Sequence, residues 1–326
     1  MPSLIDVTDL QVHFATPRGP ARAVDGVSFA LAPGEIVGLV GESGCGKSVT
    51  ALSLMGLLPA KGCRISGSVR WQGRELLGRS EDEWRALRGR EIAMIFQDPM
   101  TSLNPVFTVG NQIGEVLTKR AGLPSRAARS RAAELLAEVG IDDAKQRLRA
   151  YPGQLSGGMR QRVMIAMAMA ARPKLLIADE PTTALDVTTQ AQVLRLIDEL
   201  RRRTGAAVLF ITHDLGVVAE LCERVVVLYA GRMAETAPVG ALFDTAAHPY
   251  TRGLLRAVRM MDKGGVEAAI PGRVAPATDY PAGCRFHPRC SEVMDVCRTN
   301  SPPVFRCGAA EVACWLHRET PADVRE

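Results

Sequence analysis

The residues of this chain best suited to chemistry are Gly41-Glu42-Ser43-Gly44-Cys45-Gly46-Lys47-Ser48. Their spacing, G-x-x-x-x-G-K-[ST], is one that cradles nucleotide phosphates. Glycines let successive backbone N–H groups curl around an anion without Cβ clashes. A helix starting here aims its partial positive N-terminus at the same anion. Lys47 reaches β- and γ-phosphates, and the Ser48 hydroxyl is placed to ligate Mg²⁺. The plainer alternative is a glycine-rich turn that binds nothing. Against it, the apolar run Ile36–Val40 precedes the loop as a buried strand, and Val49–Met55 follows as a helix.

Two further clusters could serve the same chemistry. Leu175-Leu176-Ile177-Ala178-Asp179-Glu180 ends an apolar strand on two carboxylates, where α/β sheets place their reactive groups. Asp179 suits a Mg²⁺ shell, and Glu180 suits orienting and polarising an attacking water. Strand-end acids are also common as solvated loop residues; the phosphate loop in the same chain favours the functional reading. Ser156-Gly157-Gly158 opens a helix and offers a second anion site in the exposed N–H groups and the Ser156 hydroxyl. Its bland alternative is a capped turn. Eight cysteines complete the inventory, and five of them crowd into the tail at Cys284, Cys290, Cys297, Cys307 and Cys314. In a reducing compartment that density favours a metal or iron–sulfur site over disulfides. Cys45, Cys63 and Cys222 stand alone and read as small buried or loop thiols.

The elements that must position these residues alternate. Leu4–Phe14 reads as an edge strand, Ala23–Leu31 as a second strand closed by Pro33-Gly34, and Ile65–Trp71 as a third closed by Gln72-Gly73. They suggest a small antiparallel sheet beside a parallel one. Ile92–Gln97 is a compact strand, after which the turn signals Asp98-Pro99 and Asn104-Pro105 open a helical insert containing Ile113–Leu117 and Ala132–Val139. A buried helix runs from near Gly157 to Pro173, and Gln190–Arg203 is amphipathic. Ala207–Ile211 and Val225–Tyr229 continue a doubly wound layout. From about His248 the periodicity degrades into Pro, Arg and Cys, which sets a boundary near 245–250.

With 47% hydrophobic and 23% charged residues the chain has an ordinary globular composition. A net charge of +5, spread rather than gathered in one block, does not demand nucleic acid and suits a face near anionic headgroups equally well. The N-terminus lacks a signal-peptide layout, and the longest apolar run, Val163–Ala171, is far too short to span a bilayer. A cytosolic protein that meets a membrane only through a partner is expected.

Taken in order, Gly41–Ser48, Gln97, Leu155-Ser156-Gly157-Gly158-Met159-Arg160-Gln161, Asp179-Glu180, Ala184-Leu185-Asp186 and Thr212-His213-Asp214 resemble the Walker A, Q-loop, signature, Walker B, D-loop and H-loop motifs of an ABC-transporter ATPase subunit. Met159 stands where that family usually carries Gln. His248-Pro249-Tyr250-Thr251-Arg252 and Cys284-Arg285-Phe286-His287-Pro288-Arg289-Cys290 resemble the dipeptide/oligopeptide importer branch. The resemblance implies an ABC-type P-loop ATPase domain over 1–247, with a parallel core sheet, a small antiparallel β subdomain and a helical insert at about 98–160. A small Cys-rich C-terminal domain over 248–326 follows it. It implies ATP on Gly41, Ser43, Gly44, Cys45, Gly46, Lys47, Ser48 and Val49, with Phe14 stacked on adenine; Phe14 as an ordinary core aromatic is the competing reading. It implies Mg²⁺ at Ser48, Gln97 and Asp179, a water polarised by Glu180, and His213 on the γ-phosphate. Ser156, Gly157, Gly158 and Asp186 would act across a pair of ATPase subunits, the second a paralogue or a copy, one subunit's signature turn covering the other's phosphate loop.

The resemblance further implies two membrane permeases and an extracytoplasmic binding protein as partners, at the cytoplasmic face of the membrane, with no nucleic acid. It also implies a [4Fe–4S] cluster on Cys284, Cys290, Cys297 and Cys314, Cys307 being extra. The spacing itself leaves iron–sulfur, structural zinc and free thiols open. Peptides are the expected cargo, with nickel chelates or glutathione as alternatives. A soluble ABC ATPase would use the same motifs but usually carries two ATPase modules or a long coiled-coil insert, and a P-loop kinase or GTPase would need neither the signature turn nor His213.

Overall fold

A computed structural model describes residues 3–98, 102–183, 185–261 and 270–318. Pro99 and Ala184, named above within motifs, lie outside the described residues. The chain divides into two units: Met1–Leu31 with Ile36–Leu77 and Thr212–Glu326, and Ala32–Glu35 with Gly78–Ile211.

In the first unit, β1 (Ile5–Thr16) and β2 (Gly19–Leu31) form a long hairpin. β4 (Cys63–Trp71) and β5 (Arg74–Glu75) form a short one, and the antiparallel order is β2-β1-β4-β5. The strand read as an edge from its loose alternation is therefore interior. The reason is a bulge. Ile5 and Val7 are buried before it and Leu10 and Val12 after it, so the buried face changes parity. At the bulge Asp9 takes φ 47°, and a Cβ on Gly67 of β4 would lie 2.3 Å from the Asp9 carbonyl oxygen.

The same unit holds β3 (Ile36–Val40), buried throughout, parallel to β9 (Arg224–Tyr229). β10 (Arg232–Pro238) runs antiparallel to β9, and the tail adds β12 (Ala310–Val312) and β11 (Phe305–Cys307) beyond it. In the second unit β6 (Ile92–Ile95), β7 (Leu175–Asp179) and β8 (Ala207–Thr212) run parallel with β7 between its neighbours. Helices Val109–Lys119 and Ser125–Glu138 belong to the insert, pack on one another, and bury Ile113, Leu117, Ala132 and Leu136. Among the described residues no helix is long and apolar enough to cross a membrane.

The region after His248 is more regular than its sequence suggests. Pro249–Met261 is a helix, with Pro at its first position and Tyr250, Thr251 and Leu255 buried. Its start is fixed by Glu235, a fully buried carboxylate of β10 that accepts the N–H groups of Ala247 (2.8 Å) and His248 (2.9 Å). His248 is itself buried, and its Nδ1 accepts the Tyr250 N–H at 3.0 Å. Burial, with the nearby charges of Arg252 and His317, pushes the imidazole pKa down to about 3. In the unfolded chain it returns to its ordinary value near 6.5. Below that pH the unfolded state binds a proton that the folded state refuses, so stability falls as pH falls. Between pH 6.5 and 5 the expected loss from this one group is about 2 kcal/mol. In urea titrations at both pH values, His248→Asn keeps an acceptor without titrating and should lose that much less; equal losses in both proteins would remove His248 as the cause.

Candidate functional site

The phosphate loop leaves β3 at Gly41 and enters helix Lys47–Leu54 with Gly46 as its N-cap. Its glycines are required by space as well as by angle. A Cβ on Gly41 (φ 150°) would lie 2.2 Å from the Leu228 carbonyl oxygen, and one on Gly46 (φ 104°) 2.5 Å from that of Ala23. Gly44 (φ 78°) has nothing within 4 Å of its own Cβ position, so there only the backbone angle demands glycine. No side chain caps the helix at Gly46, so its first turn faces the loop with backbone N–H groups. Lys47 is buried, and its ammonium donates to the carbonyls of Gly41 (2.7 Å) and Glu42 (3.2 Å), which holds it over the loop. Cys45 is fully buried beneath, and burial raises its thiol despite the Lys47 charge, leaving a neutral packing group.

Phe14 is half-buried near the end of β1, outside the buried core. His213 is exposed on the turn after β8, where Asp214 caps helix Leu215–Leu221 through the N–H groups of Gly216 and Val217. These residues and the loop belong to the first unit.

The second unit gathers the rest. Gln97 follows β6 and Asp179-Glu180 ends β7, so all three sit at the C-terminal ends of adjacent parallel strands. Asp179 is buried. Glu180 takes φ 46°, a left-handed backbone for a non-glycine residue, of the kind that clusters at functional sites. The Gln97 amide donates to Glu180 Oε2 at 3.2 Å and the Thr183 hydroxyl to the same oxygen at 2.9 Å. Thr183 escapes a motif reading; its only signal is a hydroxyl three residues beyond the acid. Ser156 caps helix Gly157–Met169 by accepting the Met159 N–H at 3.3 Å. Asp186 caps helix Val187–Thr204 and holds both the N–H (2.9 Å) and the hydroxyl (2.8 Å) of Thr189, bonds that lower its pKa. Thr189 in turn leaves no room for a side chain at Gly158, whose Cβ would meet its Cγ2 at 2.7 Å. The signature turn and the Asp186 turn are thus one packed surface.

In the tail, burial raises the thiols of Cys284 and Cys290, and that of Cys314 to about 12. Each is raised further by the charge of Cys297, so these four lie within electrostatic reach of one another. Cys307 is not among them; it packs with Phe305 against Ala247, Val312 and Cys314. Among the described residues no three or more His, Cys, Asp or Glu side chains converge as ligands of a metal ion. The expected metal centre is therefore not preformed around a single ion.

The sequence pattern of the ABC transporter family matches residues 24–183, and that of the oligopeptide/dipeptide transporter C-terminal region matches 234–297. The chain is 49% identical to the oligopeptide transport ATP-binding protein AppD of Bacillus subtilis, covering 99% of each. It is 51% identical to the oligopeptide transport ATP-binding protein OppD of Salmonella typhimurium, over 92% of this chain and 90% of that one. With the dipeptide transport ATP-binding protein DppD of Escherichia coli it shares 50% identity, over 92% of each. Among solved structures, the ADP- and Pi-bound dimeric ATP-binding cassette MJ0796 superposes with a TM-score of 0.65 at 27% identity, over 72% of this chain and 98% of that one.

The contrast between two loop glycines is testable. Gly44→Ala should cost about 1–2 kcal/mol, the left-handed penalty alone. Gly46→Ala adds a backbone overlap and should cost about 3–5 kcal/mol. Chemical denaturation of both variants decides, and equal costs would contradict the packing described for Gly46.

Proposed function

The chain belongs to the ABC-transporter ATPases of the oligopeptide/dipeptide branch, and from that premise we propose that it powers peptide import through a membrane permease by binding and hydrolysing ATP. One observation carries the reading: the ATPase motifs and the branch's C-terminal region stand in a single chain. The chain acts at the cytoplasmic face of the membrane as a peripheral subunit.

ATP is held by Gly41, Ser43, Gly44, Cys45, Gly46, Lys47, Ser48 and Val49, with Phe14 against adenine. Ser48, Asp179 and Gln97 would hold Mg²⁺, which would neutralise charge on the phosphates. Glu180, oriented by Gln97 and Thr183, accepts the proton of the water that attacks the γ-phosphorus as the bond to ADP breaks. His213 contacts the γ-phosphate. The partner in ATP binding is a second ATPase subunit, covered by Ser156, Gly157, Gly158 and Asp186. Two features support that dimer face: the packed surface joining the two turns, and Val187 beside Asp186, 86% exposed. Met159 changes little there, because the turn presents backbone N–H groups and Ser156. Val106 and Phe107 of the insert, 71% and 50% exposed, form an apolar surface suited to a permease. The extracytoplasmic binding protein completes the assembly.

A [4Fe–4S] cluster on Cys284, Cys290, Cys297 and Cys314 is supported by the electrostatic effect of Cys297 on the other three thiols, which come from separate segments. A cluster interposes its own iron and sulfide, so its thiolates need not converge on one ion. When bound it would cross-link the segments carrying Cys284, Cys290, Cys297 and Cys314.

In the assembled transporter Glu180→Gln should lower steady-state hydrolysis by roughly 100-fold or more while retaining ATP and a closed ATPase pair. Normal turnover by that variant would remove Glu180 from its role. Anaerobically purified protein should contain about four iron atoms per chain and absorb in the visible; a colourless, iron-free and fully active sample would overturn the cluster.

A further inference from the structure

Glu42, the second residue of the phosphate loop, is gripped from the tail at two points. Its backbone N–H donates to the Tyr250 hydroxyl at 2.9 Å. Its carboxylate accepts both arms of the Arg289 guanidinium, at 2.6 Å and 2.9 Å. Neither contact is incidental surface pairing. The Tyr250 side chain is fully buried, and that of Arg289 is 6% exposed.

Arginine has five N–H donors, and Arg289 uses all of them. The remaining three go to the Pro271 carbonyl (2.9 Å), the Ile270 carbonyl (3.1 Å) and the Tyr229 hydroxyl (3.3 Å). A guanidinium so occupied has one orientation, and its fork fits a carboxylate as a lysine cannot. Tyr250 is fixed just as closely. Its ring packs edge-on against Tyr229 with centroids 4.7 Å apart and tilted against Phe286 at 5.4 Å, while its N–H is held by His248.

The grip matters because of what Glu42 carries. Its carbonyl is one of the two that hold the Lys47 ammonium. The loop itself is rich in glycine, which leaves its backbone more conformations to lose on ordering than any other residue type would. A loop ordered before ligand arrives does not lose that freedom on binding.

We propose that Tyr250 and Arg289 are positioning residues of the phosphate loop, which pre-order it through Glu42 and so set its affinity for nucleotide. The proposal rests on the reading of Gly41–Ser48 as an ATP site. It gives the His248-Pro249-Tyr250 motif and the Arg beside Cys290 a task that neither the ATPase motifs nor the thiols supply.

The test measures ATP affinity of the full-length chain by titration calorimetry, with ATP hydrolysis followed in the assembled transporter. Tyr250→Phe removes one acceptor oxygen and should weaken ATP binding about fivefold. Arg289→Ala should weaken it about tenfold, and Arg289→Lys should recover only part. Both should act on KM for ATP far more than on kcat. Arg289→Ala combined with Glu42→Gln should be no weaker than the worse single variant, because the two residues act through one contact. Arg252→Ala, which breaks the exposed tail pair with Glu292, should leave affinity unchanged and so controls for general loosening of the tail. Folded Tyr250→Phe and Arg289→Lys chains that bind ATP as tightly as wild type would overturn the proposal, as would fully additive losses in the double variant. If Arg289→Ala does not fold, Tyr250→Phe decides alone. Wild-type protein that binds no ATP, with Lys47→Ala indistinguishable from it, would instead overturn the nucleotide reading itself.

Discussion

Backbone pressed against backbone is the constraint on which this structure depends. The loop that presents N–H groups to an anion touches the Leu228 carbonyl at one glycine and the Ala23 carbonyl at another, with no space for a side-chain carbon at either. The Gly231 N–H closes the third side on the Cys45 carbonyl at 3.0 Å. Strands β2 and β9 and the turn into β10 therefore have to be in place for the loop to exist. The buried strand β3 delivers the chain to this point, and the uncapped helix at Lys47 carries it away.

Around that contact the first unit is joined by buried charge. Burial alone would raise the Asp25 carboxyl, but Arg285, His13 and Arg232 outweigh it and hold it below the usual carboxylate range. Arg285 bonds Asp25 directly and stacks on Tyr280 at 4.0 Å, while Arg232 reaches Asp25 at 3.0 Å. These partners lie more than two hundred residues from Asp25 in sequence. A buried charge left without its partner is strongly destabilising, so β2, β10 and the Cys-rich tail are bound to one arrangement. Polar groups make that choice together with the ring packing of Tyr229, Tyr250 and Phe286.

What could be read from the sequence followed from whether a residue's neighbours in the chain are also its neighbours in space. The phosphate loop, the Ser156 cap and the Asp179-Glu180 strand end are local patterns, and each forms where its spacing places it. The interior position of β1 was hidden because a bulge at Asp9 breaks the alternation that marks a buried strand. The helix at Pro249 was hidden by Arg and Gly among its apolar positions, although Pro at its first position and the spacing of Tyr250 and Leu255 were available signals. Nothing local in the sequence marked the contacts that Thr183, Tyr250 and Arg289 make, although the last two stand within motifs. Their roles exist only through partners, and for Arg289 the partner is 247 positions away.

That separation gives the phosphate loop a place in time. A ribosome finishes residue 42 long before residue 289, and at about 5–20 residues per second the interval is about 12–50 s. Throughout it the nascent loop has its glycines and its lysine but not the arginine that clasps Glu42, and β10, once made, still waits for β12 to cover its outer edge. The chain thus emerges with its nucleotide cradle half-built and an open strand edge. It completes both only once Arg289 and then β12 have been made, and a message interrupted before them yields a protein whose ATP loop is present in full yet unclasped.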